Sequence, residues 1–78
     1  MDIEVKYIFA EKIRGIREDS DMSQTEIANL LKISQRAYSH YERGDREISL
    51  DSLVKIANYF NVSIDYLLGR TNKKEVNR

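Results

Sequence analysis

The chain contains no cysteine and no proline, and its single histidine is His40. Without cysteine there are no disulfides, thiol nucleophiles or iron–sulfur ligands, and one histidine leaves nothing from which to build a zinc finger. An intracellular setting fits that composition. No apolar run approaches the ~20 residues that a membrane span requires. The start, Met1-Asp2-Ile3-Glu4-Val5-Lys6-Tyr7, alternates charged and apolar residues instead of following a basic start with an apolar middle, so no secretory signal is expected. There is also no excess of positive charge: 13 Lys and Arg balance 13 Asp and Glu. Non-specific nucleic-acid binders are usually basic. A neutral chain binds phosphate only if its cations gather on one face, because attraction is screened beyond ~10 Å at 0.1 M salt.

At 78 residues the chain has room for one core. With no disulfide to staple it, well-packed helices must hold it together, and their marks run along its length. Between Tyr7 and Asp19, the apolar residues Phe9, Ile13 and Ile16 recur at helical spacing among Lys12, Arg14, Arg17 and Glu18, which predicts an amphipathic helix. Ser23-Gln24-Thr25-Glu26 reads as a capping box that opens a second helix, with Ile27, Ala28, Leu30 and Leu31 inward. That helix lasts about two turns, and Ser34 caps a third, from Gln35 to about Arg43, which Gly44 stops. Only Tyr38 and Tyr41 are large and apolar on the third helix, so most of its surface is kept for a partner.

Ser49 caps a fourth helix, with Asp51 in its first turn and Leu50, Leu53, Ile56, Ala57 and Phe60 expected inward. Ser63 caps a fifth, ending at Gly69. The domain is expected to span residues 1–70. Residues 71–78 form a polar tail expected to fray, with Lys73, Lys74 and Arg78 outnumbering Glu75.

The string Met22-Ser23-Gln24-Thr25-Glu26-Ile27-Ala28-Asn29-Leu30-Leu31-Lys32-Ile33-Ser34, followed by Tyr38-Ser39-His40-Tyr41-Glu42-Arg43-Gly44, resembles the phage Cro and repressor type of helix-turn-helix domain, the XRE family. Ile48-Ser49-Leu50, Leu53, Ile56-Ala57, Phe60-Asn61-Val62-Ser63 and Asp65-Tyr66-Leu67-Leu68-Gly69 continue the likeness, which covers about Ile8 to Gly69.

The resemblance implies an all-α, compact five-helix bundle of the lambda-repressor-like type. In such a fold the third helix lies in the DNA major groove and the second crosses the backbone. It places Gln35, Arg36, Ser39 and His40 at base edges. Arg36 suits guanine, and Gln35 suits adenine. Gln24, Ser34, Arg43 and Arg46 fall at backbone-contacting positions, and Arg17 and Glu42 at a pair tying the first helix to the third. The implied function is a cytoplasmic DNA-binding transcriptional regulator, a repressor, acting as a homodimer on a palindromic operator. No cofactor, metal or small-molecule ligand is implied. One departure stands out. Many family members have glycine where this chain has Lys32, and a left-handed backbone there costs a non-glycine residue about 1 kcal/mol.

Other readings of the same residues carry less. Tyr38 and Tyr41 could stack on bases, but their spacing fits core. Arg36 could be a solvated surface arginine, yet its place just after the cap of the third helix favours base contact. A lone histidine such as His40 establishes no pH switch. Glu18, Asp19 and Asp21 mark a solvated loop. Gly15, Gly44 and Gly69 are too scattered for a phosphate loop, and no nucleophile–base set stands out, so catalysis is not expected. An antitoxin or other protein-binding regulator on the same fold is the alternative. Ile64, Tyr66, Leu67 and Leu68 are expected at the dimer interface, on the ground that one short helix cannot bury them all, with Ile3, Val5 and Tyr7 adding to it.

Overall fold

The computed structural model describes residues 4–75, and among them the regular structure is entirely helical. The elements are α1 (Glu4–Asp19), α2 (Gln24–Leu31), α3 (Gln35–Arg43), α4 (Leu50–Phe60) and α5 (Ile64–Leu67). The first helix begins one turn before the periodic stretch that announces it. The dimer residue Ile3 and the tail residue Arg78 lie outside the described residues.

Four of the helices start in the same way. Ser23, Ser34, Ser49 and Ser63 are extended N-caps, and each hydroxyl accepts from the amide three residues on. At Ser23 the Glu26 side chain also accepts from the Ser23 amide, at 2.8 Å, completing the capping box. The ends share a device too. Asp21, Lys32, Gly44, Asn61 and Gly69 all have positive φ, one just past the end of each helix. The amide of the next residue then reaches back to a carbonyl five positions earlier: Met22 to Arg17, Ile33 to Ala28, Asp45 to His40, Val62 to Ala57 and Arg70 to Asp65. This satisfies carbonyls that a helix end otherwise leaves unpaired. Lys32 has φ 61° and ψ 41°, so this non-glycine residue does sit in the left-handed region.

The buried cluster joins Phe9, Ile13 and Ile16 of α1 to Ile27, Ala28 and Leu31 of α2. Tyr38 and Tyr41 of α3, Leu53, Ile56 and Ala57 of α4, Val62 and Leu67 complete it. Helix α3 packs on α1 and α2, and α5 closes against α1 and α4. The two tyrosines belong to this core, ring edge to ring face at 6.4 Å.

Three expectations need correction. Leu50 is 74% exposed: α4 turns Ser52 inward beside Leu53, Ile56 and Ala57, which leaves Leu50 at the margin of that face. Leu67 is fully buried in its own domain, so it offers nothing to a partner. Ile64, Tyr66 and Leu68 are half-buried against the same core, and the Tyr66 ring has Lys12 Nζ 4.6 Å from its centre. Finally, the described part of the tail expected to fray, residues 71–75, returns to α5, where the Ser63 amide donates to the Lys74 carbonyl at 2.8 Å.

Candidate nucleic-acid interface

Helices α2 and α3 meet at the corner formed by Lys32, Ile33 and Ser34, and the corner is tight because Lys32 is left-handed and Ser34 is at once the next cap. Helix α3 has two unlike faces. Tyr38, Tyr41 and Glu42 are buried, while Gln35, Arg36, Ser39, His40 and Arg43 recur at helical spacing on the opposite side. Gln35, Arg36 and Arg43 are exposed, and Ser39 and His40 are half-buried. Four of these five were expected at base edges and the fifth at the DNA backbone, so the fold brings them onto one surface.

Behind that surface lies Glu42, a carboxylate only 5% exposed. It accepts from Arg17 Nε and, at 3.2 Å, from Arg17 Nη2. The Tyr38 hydroxyl donates to it at 2.6 Å and Gln24 Nε2 at 3.0 Å. Burial alone pushes this carboxyl up, but the hydrogen bonds from Arg17, Tyr38 and Gln24 outweigh it and hold Glu42 below the ordinary glutamate value. Tyr38 is pushed well above the ordinary tyrosine value, first by burial and then by donating to the carboxylate. The Arg17 guanidinium is raised by its hydrogen bonds to Glu42, and its Nη1 also donates to the Met22 carbonyl at 2.9 Å. One carboxylate therefore joins α1, α2 and α3. The Arg17 and Glu42 pair was legible in the sequence, whereas the Tyr38 and Gln24 bonds to the same group were not.

Gln24 is more constrained than a free surface amide. A carboxylate only accepts, so Gln24 must turn its NH2 towards Glu42, and its carbonyl oxygen then accepts from Gln35 Nε2. Gln35 is left with one N–H and its own carbonyl oxygen. That adjacent donor and acceptor match the acceptor and donor on the major-groove edge of adenine. Ser34 uses its oxygen to accept from the Ala37 amide and keeps its O–H proton as a donor.

At the other end of α3, Arg43 Nε donates to Asp45 Oδ2 at 2.8 Å, and Nη2 lies 2.9 Å from His40 Nδ1. His40 Nδ1 also lies 3.4 Å from Asp45 Oδ2, so the three side chains cluster at this end of α3. Hydrogen bonding to Arg43 holds the Asp45 carboxyl below the ordinary aspartate value. Sequence reading missed Asp45, although its place two residues beyond Arg43 across a glycine turn was the available signal. Arg36 and Arg46 are exposed and, among the described residues, make no side-chain hydrogen bond. Glu18, Asp19 and Asp21 are exposed, and no group of three or more acidic or histidine side chains is placed to hold a metal among the described residues.

Known proteins resemble this chain in sequence and in fold. A family model described as helix-turn-helix matches residues 13–67. The HTH-type transcriptional regulator YqaE of Bacillus subtilis is 38% identical over 68 residues, covering 86% of this chain and 59% of that protein. The cryptic phage CTXphi transcriptional repressor RstR of Vibrio cholerae is 33% identical over 61 residues, which are 78% of this chain and 55% of RstR. The chain thus spans little more than half the length of these relatives. The P22 c2 repressor, solved in complex with a synthetic operator, superposes with a TM-score of 0.74 at 27% identity, covering 81% of this chain and 96% of that one. With the matched segment running from the first helix through the last, this chain belongs to the helix-turn-helix family, in its Cro and repressor branch.

Proposed function

We propose that this chain is the DNA-binding part of a cytoplasmic transcriptional regulator, a repressor that reads a palindromic operator as a homodimer. The observation that carries the reading is the division of α3 into a buried tyrosine face and an opposite face holding Gln35, Arg36, Ser39, His40 and Arg43. Gln35, Arg36, Ser39 and His40 meet base edges in the major groove, with Arg36 pairing to guanine O6 and N7 and Gln35 to adenine. Gln24, Ser34, Arg43 and Arg46 meet the phosphate backbone and set the register. Glu42 touches no DNA. It holds Gln24 and α3 in place from behind.

The P22 c2 repressor's complex with its operator supports this docking, and RstR, named a repressor, supports the sign of regulation. The net charge is neutral, but Arg36, Arg43 and Arg46 gather around one surface; exposed acids such as Glu11 and Asp65 belong to α1 and α5, and Asp45 and Glu47 are the acids that stand beside these arginines. Selection of bound duplexes from a random library, followed by competition binding, tests the reading. Two half-sites about one turn of DNA apart, ~34 Å, are expected. Enrichment of no motif would overturn it.

A further inference from the structure

Helix α4 carries an apolar stripe that its own domain does not cover. Leu50 is 74% and Val54 39% exposed, and four residues separate them, so they stand one above the other about 6 Å apart along the axis. Beside them runs a second stripe of the same length, in which Asp51 and Lys55 form an ion pair at 3.2 Å with side chains 80% and 42% exposed. The stripe is thus bounded by one acid at its N-terminal end and one base at its C-terminal end.

We propose that this face of α4 is where two copies of the chain meet, α4 against α4 and antiparallel about a two-fold axis. The inference rests on the reading of the chain as a dimeric DNA-binding domain and deepens it by placing the contact. The argument is self-complementarity. When two copies of one helix pack antiparallel, each flank meets the same flank of its partner with the order of residues reversed. Leu50 then faces the second copy's Val54, and Asp51 faces the second copy's Lys55. Both pairings are favourable and both arise at the same level of the helix, within one residue. A parallel arrangement would instead turn the two Asp51 and Lys55 flanks to opposite sides of the contact, where neither ion pair could form across it. The candidates on α5 are taken up by their own core, as the fully buried Leu67 and the lysine-covered Tyr66 show. Two apolar side chains and one ion pair per copy make a contact well below the ~1,600 Å² of a standard stable interface. The free chain is therefore in monomer–dimer exchange, and pairing is completed on two adjacent half-sites.

Sedimentation equilibrium of the free chain, from roughly ten micromolar to one millimolar, tests this without any DNA. The chain as it stands is expected to dimerise within that range, and Leu50→Glu to weaken association at least ~10-fold. Charge exchange supplies the decisive arm. Asp51→Lys and Lys55→Glu each set like charges across the two-fold axis, so each alone is monomeric, whereas an equimolar mixture of the two restores the dimer because every cross-pair becomes attractive. A role confined to stabilising α4 does not respond to mixing, since the pair within each helix is unchanged by it. A chain that stays monomeric throughout the range, a Leu50→Glu variant that associates normally, or a mixture no more associated than its components would overturn the proposal. Because no duplex takes part, the α4 contact can fail while the DNA reading stands, and the reverse.

Discussion

Arg17 and Glu42, 25 residues apart, meet through two N–H to oxygen bonds, with the carboxylate almost wholly buried and the arginine side chain 15% exposed. Removing one partner of such a pair leaves an uncompensated buried charge, which costs about 3–5 kcal/mol. In a domain of this size that is a large share of total stability. Arg17→Ala is expected to lower stability in urea denaturation by about 3 kcal/mol, and Arg17→Lys by less, because lysine keeps the charge but loses the fork. A loss under ~0.5 kcal/mol for Arg17→Ala would mean that the three helices hold together without this pair.

The same carboxylate sets the acid limb of stability. Glu42 titrates lower in the folded chain than in the unfolded one, so its contribution is fully present above the ordinary glutamate value of ~4.3 and is lost as pH falls below it. Thermal unfolding is expected to drop steeply below about pH 4. Glu42→Gln is expected to be less stable at neutral pH but to show a shallower acid decline. Parallel acid curves for the two proteins would assign acid unfolding to other carboxylates. On the alkaline side, the raised Tyr38 contributes below the ordinary tyrosine value of ~10 and loses its contribution as pH climbs past it.

Glycine chemistry separates two positions that look alike in the sequence and links them to a third that does not. A Cβ added at Gly15, inside α1, meets nothing within 4 Å, so Gly15→Ala is expected to raise stability by about 0.5–1 kcal/mol. Gly44 has φ +75°, and a Cβ there would lie 2.5 Å from Tyr7 Cδ1, so Gly44→Ala is expected to destabilise by more than ~1 kcal/mol. Lys32 is the converse case. Lys32→Gly relieves a left-handed lysine and is expected to stabilise by up to ~1 kcal/mol, less the entropy that glycine adds to the unfolded chain. Thermal melts of the three variants give the order directly, and a stabilised Gly44→Ala would contradict the geometry of that turn.

What the sequence discloses here is chiefly local. Serine caps, the α1 and α2 periodicities and the glycine after Arg43 act over a turn or less of chain, and the helices they predict are those observed. The left-handed Asp21 and Asn61 escaped notice because a Schellman ending tolerates non-glycine residues and leaves no fixed letter. Leu50 and Leu67 were misplaced for a different reason. Whether an apolar residue on a short helix turns inward depends on which partner helix lies beside it, and that is set by the packing of α4 and α5 against the rest of the domain. The candidate site divides in the same way. The face of α3 follows from spacing, whereas the convergence of Tyr38 and Gln24 on Glu42 depends on three helices at once.

Asp45 holds Arg43 in an ion pair between two largely exposed side chains, 57% and 51%. Such a pair contributes little and breaks readily. It also sets a negative charge beside an arginine assigned to phosphate. Asp45→Asn is expected to tighten DNA binding several-fold and to steepen the log–log salt dependence, from a slope near −5 for about six phosphate contacts per dimer. Titrations at several salt concentrations read both. An unchanged slope with unchanged affinity would place Asp45 away from the DNA.

Reading and holding are separable on α3, because Arg36 stands in its first turn, exposed, while Arg43 closes its last turn next to Asp45. Arg36→Ala is expected to cost about 1–3 kcal/mol on the preferred duplex and to relax discrimination at one base pair per half-site, since a two-point contact to a base edge is lost. Arg43→Ala and Gln24→Ala should instead weaken matched and mismatched duplexes alike, and only Arg43→Ala should flatten the salt slope, because Gln24 is uncharged. Gln24→Ala has one added consequence from its link to Gln35. With the Gln24 carbonyl gone, Gln35 loses the partner that orients its amide, so discrimination at the base pair it reads should blur slightly as well. Competition against every single-base variant of the selected duplex distinguishes these patterns. If Arg36→Ala leaves the profile intact while Arg43→Ala reshapes it, then the end of α3 near Gly44 reads the bases, and the docking proposed for this helix is reversed.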